Sequence, residues 1–322
     1  MADEWLGFER RQVLDWFEQA GLVNRLVDCT GEDCCATHAG DTGADEPNEQ
    51  ARISVFAAVG TKRVNGAREH VQEQYAARAR TGAACCGSGS GVNICCASPD
   101  NPDSEGVNIQ PDYAAIDTTV IPEEAAGMAL GCGNPTALAL LQPGEVVVDI
   151  GSGGGLDCFL ASRQVGEKGK VIGVDMTPVM LGRARQAARR MGIANVEFRK
   201  GTAEALPLPD GSADVVMSNC VINLCEDKGQ VFNEAFRVLK PGGRLEISDI
   251  VASGSFPGEV SADPSRWGDC IFGAIPEGEY LALLRQAGFS DPQVQKRAHS
   301  GDVFDVAISS LTLTAAKPST TA

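Results

Sequence analysis

Apolar and polar positions change rhythm several times along this chain. Between residues 10 and 21, Val13, Leu14, Phe17 and Ala20 recur at helical spacing. Residues 22–27 and 53–59 read as strands, with a polar insert between them. Residues 64–82 predict a helix with Val71 and Tyr75 on one face. Residues 83–112 lose periodicity and are rich in Gly, Ser, Asp, Asn and Cys, the composition of an irregular loop. From about Pro122 onward, strand-like runs at 146–150, 171–174, 196–199, 214–218 and 244–249 alternate with helical stretches. That alternation predicts an α/β domain with a mainly parallel sheet and helices on both faces. The expected division is a small α/β fragment over 1–62, a helix plus cysteine-rich loop over 63–121, and the main domain over 122–322. The string VLDWFEQAGL (residues 13–22) echoes YLALLRQAGF (residues 280–289), and each precedes a strand pair. Read as a partial repeat, the first fragment duplicates the tail of the main domain; two amphipathic helices with a glycine stop would look alike by chance as well.

Charge and composition narrow the function classes. A net charge of −16 over 322 residues argues against a nucleic-acid partner, which needs a basic footprint. No apolar run reaches the length of a membrane span, and the first residues lack the apolar stretch of a signal peptide, so a cytoplasmic location is expected. Twelve cysteines are then out of place as disulfides and are better read as ligands or redox groups. Three adjacent pairs stand out: Cys34-Cys35, Cys85-Cys86 and Cys95-Cys96. Cys158, at helical spacing among Leu156, Phe159 and Leu160, reads equally well as a small buried hydrophobe.

The run VVVDIGSGGG (residues 146–155) is an apolar strand entering a glycine-rich turn, which lets a ligand approach backbone N–H groups. Asp149 ends the strand, placed to organise the loop or meet a cationic group. A second strand ends at Asp175, whose carboxylate suits two ribose hydroxyls. With GTAEALPLPDGSADVVMSN downstream, this order resembles the class I S-adenosylmethionine-dependent methyltransferases over residues 127–312. The resemblance implies a Rossmann-like, doubly wound, mainly parallel sheet; ahead of it the sequence pattern places the cysteine-rich extension and the small N-terminal fragment. It also implies a cofactor site in which Gly151, Gly153 and Gly155 form the loop at the methionine end, beside Asn219. Asp175 would hold the ribose, Met176 would lie on the adenine, and Thr202 and Ala203 along its edge. Many members of the superfamily have an acid where this chain has Thr202.

A second constellation concerns sulfur. Cys220 follows the fourth strand of the domain, where strand ends of a doubly wound sheet face the ligand crevice. Cys270 lies in the segment between the last parallel strand and a C-terminal hairpin. Thiolates from two such elements can converge on a soft ion. The motifs GCGNP (131–135), DCFLAS (157–162), SNCVINL (218–224), EDK (226–228), VLKPGGRLEISD (238–249) and DCIFGA (269–274) resemble the arsenite methyltransferases. That resemblance implies S-adenosylmethionine as methyl donor, arsenite or methylated arsenicals as acceptor, and arsenic held by Cys220 and Cys270 with Cys132 and one of Cys85 or Cys86. Cys95-Cys96 would be a capture pair, and thioredoxin or a glutathione-like thiol would serve as reductant. Cys225 reads as incidental, Cys29, Cys34 and Cys35 lie outside the resemblance, and the three histidines show no zinc-like spacing. Two other readings stand beside this one. A methyltransferase for a quinone-like carbon acid would leave Cys132, Cys220 and Cys270 unexplained, and a non-catalytic thiol-rich arsenic-binding protein would not need the intact glycine loop and Asp175.

Overall fold

The computed structural model describes residues 4–5, 8–29, 56–62, 66–81, 140–268 and 270–319. Cys34, Cys35, Cys85, Cys86, Cys95, Cys96 and Cys132, and the start of the strand expected at 53–59, lie outside the described residues. The chain forms two units, Met1–Arg63 and Val64–Ala322. In the first, the short pair β1 (Glu4–Trp5) and β2 (Phe8–Glu9) precedes helix α1 (Arg10–Gln19) and the antiparallel pair β3 (Leu22–Cys29) and β4 (Phe56–Lys62).

The second unit opens with α2 (Ala67–Thr81), and from residue 146 it alternates strand and helix. These elements are β5 (Val146–Ile150), α3 (Leu156–Val165), β6 (Lys170–Asp175), α4 (Pro178–Met191), β7 (Val196–Lys200), β8 (Ala213–Asn219), α5 (Lys228–Val238) and β9 (Leu239–Ala252). The one-turn helix α6 (Gly258–Ser261), α7 (Glu277–Gln286) and the hairpin β10 (Ser290–Val303) with β11 (Val306–Ala316) complete it. The sheet order is β10-β11-β9-β8-β5-β6-β7, with β9 to β7 parallel and the hairpin added antiparallel on β9. Strand order reverses at β5: the chain builds outward through β6 and β7, then returns to lay β8 on its other side. In such sheets the crevice at the reversal point binds ligands.

Local signals set the element ends. Asp227 caps α5 by accepting a hydrogen bond from the Gln230 N–H at 2.9 Å, a cap that contributes about 1 kcal/mol. Pro178 starts α4 and Gly192, at φ 64°, ends it behind Arg189 and Arg190, which complement the carbonyl end of the helix. The central strand β5 reads as an unbroken apolar run because both its faces are covered; Val147, Val148 and Ile150 are at most 1% exposed. Residues Val147, Val171, Val215 and Met217 pack with Phe159, Leu160, Leu181 and Ala184 of α3 and α4 in one core. On the far side α7 docks against α5 through a Phe232–Tyr280 edge contact, and Phe289, just past the end of α7, meets Phe236 in the same way, both with centroids 5.2 Å apart.

One strand is longer than its pattern predicts. The apolar run at 244–249 lies inside a strand of 14 residues that includes Pro241, Gly242 and Gly243. Those residues read as a turn, yet Gly242 N–H donates to the Lys317 carbonyl and Lys317 N–H to that of Gly243, keeping the ladder paired through a register shift opposite β8. Among the described residues no helix is long and apolar enough to cross a membrane.

Candidate functional site

A cleft of about 1040 Å³, counting its open mouth, lies at the carboxyl ends of β5, β6 and β8, at the reversal point of the sheet. The glycine loop after β5 forms one wall. Gly151 and Ser152 N–H groups both donate to the Val174 carbonyl, at 2.8 and 3.1 Å, folding the loop back onto β6. Gly151 sits at φ 75°, and a Cβ there would lie 2.2 Å from Val221 Cγ2, so the position requires glycine twice over. Asp175 holds the loop from the next strand: its carboxylate accepts the Gly153 N–H at 2.9 Å and the Thr177 N–H at 2.7 Å. Each oxygen keeps a second lone pair that can face a ligand. Burial raises the Asp175 pKa, and these two backbone bonds oppose the rise.

Met176, Thr202, Ala203 and Asn219 also line the cleft. Asn219 donates to Asp157 Oδ2 at 3.1 Å, bringing a further carboxylate to the wall. Asp149 and Gly155 are placed differently. Asp149 is buried beneath the loop, where it accepts a hydrogen bond from the Cys158 thiol at 3.1 Å. Burial and the neighbouring Asp157 push its carboxyl well above the usual range. Gly155, at φ 91°, starts α3 against Phe198 and Phe159. Neither belongs to the cleft lining, and the Asp149 carboxylate is tied to α3 through Cys158.

The thiol side begins where β8 ends. Cys220 is 2% exposed, lines the cleft and adopts φ 60°, a left-handed backbone that a side chain other than glycine takes at a cost of about 1–2 kcal/mol. Its N–H donates to the Ser248 carbonyl of β9 at 2.8 Å, which fixes the kink. Cys270, 50 positions further on, is also 2% exposed and packs in the same apolar cluster. Its thiol donates to the Cys220 carbonyl at 3.1 Å. The segment carrying Cys270 comes close because Gly273 has no side chain: a Cβ there would lie 1.9 Å from the Asn223 carbonyl oxygen.

Beneath this side lies a buried polar floor. Lys228, fully buried, donates to the Cys225 carbonyl at 3.1 Å and lies 5.5 Å from the Trp267 ring centroid. Asp249 accepts from its neighbour Ile250 N–H and from the Tyr280 hydroxyl at 3.4 Å. Burial first, and then the Cys270 sulfur, raise its carboxyl to about 7.

Helix α2 closes the cleft from the third side. Arg68 pairs with Glu204 at 3.0 Å, Gln72 donates to the Met176 carbonyl at 3.1 Å, and Ala67 and Val71 cluster with Trp267. The Tyr75 hydroxyl lies 3.8 Å from Cys270 Sγ, within hydrogen-bond reach of sulfur. Arg68, Val71 and Tyr75 all line the cleft. Sequence reasoning placed Val71 and Tyr75 on one helix face but gave no sign of what that face covers. Cys225, which reads as incidental in the sequence, also lines the cleft; burial and the nearby Glu204 push its thiol well above the ordinary range.

A doubly wound sheet extended by an antiparallel hairpin, with its cleft at a glycine loop and a strand-end acid, defines the class I methyltransferase fold. A family described as "Methyltransferase domain" matches residues 141–288. The chain is 44% identical to an arsenite methyltransferase of Halobacterium salinarum over 237 residues, covering 72% of this chain and 60% of that one. It is 44% identical over 178 residues to an arsenite methyltransferase of Aquipseudomonas alcaligenes, covering 53% of this chain and 51% of that one. The crystal structure of an arsenic(III) S-adenosylmethionine methyltransferase from Chlamydomonas reinhardtii superposes with a TM-score of 0.57 at 35% identity, over 64% of this chain and 73% of that chain. The chain belongs to the arsenite methyltransferase family. It spans between half and three-fifths of the length of these two curated relatives.

Proposed function

We propose that this protein transfers methyl groups from S-adenosylmethionine to trivalent arsenic held as a thiolate complex, as in arsenic detoxification or biotransformation. The observation that carries the reading is the meeting of two cysteines from distant segments beside the cleft. Cys220 lines that cleft, and the Cys270 thiol reaches its carbonyl at 3.1 Å. A quinone methyltransferase has no use for that pair.

The cleft fits the cofactor on its own geometry: a side-chain-free approach at Gly153, a strand-end carboxylate at Asp175, the apolar Met176 and Ala203, and Asp157 and Asn219 near the glycine loop. Asp175 and the Gly153 backbone would hold the ribose and the methionine end, with Thr202 and Ala203 along the adenine edge. S-adenosylmethionine supplies an electrophilic sulfonium methyl. Cys220 and Cys270 would hold arsenic through sulfur, the ligand a soft ion prefers, and Cys132 or one of Cys85 and Cys86 would supply the third sulfur. Trigonal sulfur coordination leaves a lone pair on arsenic, which is the nucleophile, so the site needs no general base. The work of the chain is to position the acceptor and exclude water from it. Burial of both thiols serves that end.

Methylation takes arsenic from the trivalent to the pentavalent state. Oxidation of two thiols to a disulfide returns the two electrons, and thioredoxin or a small glutathione-like thiol would reduce the disulfide again. Cys95-Cys96 would capture arsenite before transfer. The protein is proposed to work in the cytoplasm.

The test is a methyl-transfer assay with labelled S-adenosylmethionine, arsenite and excess small thiol, run beside Cys220→Ser. Methylated arsenic from the wild type and at least a hundredfold less from the variant is the expected result. Cofactor binding without any arsenic product from the wild type would overturn the reading.

A further inference from the structure

We infer that Tyr75 is a positioning residue joining the two sides of the site: its ring walls the cofactor cleft while its hydroxyl holds the sulfur of Cys270 once arsenic is bound. The inference rests on the arsenic-thiolate reading above. Tyr75 lines the cleft, packs against the cluster of Ala67, Val71 and Trp267 and against that of Ala79 and Met180, and lies under the Arg78 guanidinium at 5.1 Å. Its helix is tied to the body on the cofactor side by the Arg68–Glu204 pair and the Gln72 bond to Met176. On the thiol side Ala67 and Val71 meet Trp267, three residues before Cys270. The ring is thus held from several directions, and its hydroxyl lies 3.8 Å from the Cys270 sulfur.

The chemistry of binding gives that contact a role. In the free protein the Cys270 thiol donates its proton to the Cys220 carbonyl. When arsenous acid binds, an S–As bond replaces the S–H bond, the thiol proton leaves with an arsenic hydroxyl as water, and arsenic stays trivalent. The sulfur then has no proton to donate, and its contact with the Cys220 carbonyl becomes one between two acceptors. The Tyr75 hydroxyl is a donor already in place for it, and a bond to one sulfur lone pair sets the direction in which the S–As bond points. Because the same ring walls the cleft, the acceptor is oriented by the group that borders the methyl donor.

The test is a double-mutant cycle of Tyr75→Phe and Cys270→Ser in the full chain. Arsenite affinity is measured by titration, with S-adenosylhomocysteine affinity as the control. Tyr75→Phe keeps the ring and removes the hydroxyl. Expected are a five- to twentyfold loss of arsenite affinity, S-adenosylhomocysteine affinity within twofold of the wild type, and less than a twofold effect of the same change in the Cys270→Ser chain. The inference is overturned if Tyr75→Phe binds arsenite like the wild type, if its loss persists undiminished without the Cys270 sulfur, or if cofactor-product binding falls in parallel. A wild-type chain that binds no arsenite overturns the parent reading together with this one, whereas the other three outcomes leave the parent reading standing.

Discussion

The cofactor side of the cleft takes its shape from backbone, whereas the thiol side is assembled from side chains carried by distant segments. Gly151, Ser152 and Gly153 spend their N–H groups on Val174 and Asp175 within one strand–helix–strand passage of the chain. Cys220, Cys270 and Tyr75 come from the residue after β8, from the segment before α7 and from α2, and they meet only through the tertiary fold. A local wall tolerates change elsewhere in the fold; a convergent one depends on every segment that delivers it. Substitutions should therefore damage the two sides separately.

The largest expected effect is on the backbone side. Gly151→Ala places a Cβ 2.2 Å from Val221 Cγ2 on a backbone at φ 75°, so the loop must open. S-adenosylhomocysteine affinity measured by calorimetry should fall at least a hundredfold; a fall of less than fivefold would mean the loop adapts and the contrast is false. Next comes Gly273→Ala, which sets a Cβ against the Asn223 carbonyl oxygen at 1.9 Å and pushes the Cys270 segment outward. Arsenite affinity should drop at least tenfold with cofactor-product affinity within threefold, and parallel losses would show that the sides are not separable.

The smallest effect on ligand binding comes from the sheet that carries both sides. Glu246 on β9 is 3% exposed, and burial raises its carboxyl to about 7, with the Thr314 hydroxyl bond and Arg244 opposing. Its folded pKa lies above the unfolded value of 4.5, so the folded state keeps a proton that the unfolded chain releases. Its contribution is fully present below pH 4.5 and is lost as pH rises through about 7. Glu246→Gln should therefore match the wild type in urea unfolding near pH 4 and exceed it by on the order of 2 kcal/mol at pH 8. Both ligand affinities should stay unchanged. A variant less stable than the wild type at pH 8 would show that the carboxylate is solvated in the fold.

The same contrast explains what the sequence discloses. The glycine loop, Asp175 and the strands around them are legible because each is a local pattern: β5 was expected at 146–150 and forms there. β9 escapes its pattern because the hydrogen bonds that extend it through Pro241 and the two glycines come from Lys317, far along the chain. Cys220 and Cys270 could be singled out by residue type, but their meeting depends on the tertiary approach that Gly273 permits. Tyr75, Cys225 and the Lys228–Asp249 floor give no local signal, since a tyrosine on an amphipathic helix and a lysine after an N-cap look ordinary until the neighbours are known.

The backbone at Cys220 carries a consequence for how this protein changes over generations of mutation. Glycine or asparagine would occupy a left-handed residue at less cost than cysteine does. Relief of that backbone cost is opposed by the loss of the buried packing of Cys220, so a chain that has lost a thiol of the proposed site can melt like one that keeps it, and a screen for soluble, stable protein alone would not tell them apart. Screening this scaffold for robustness calls for a thiol readout alongside the melting curve.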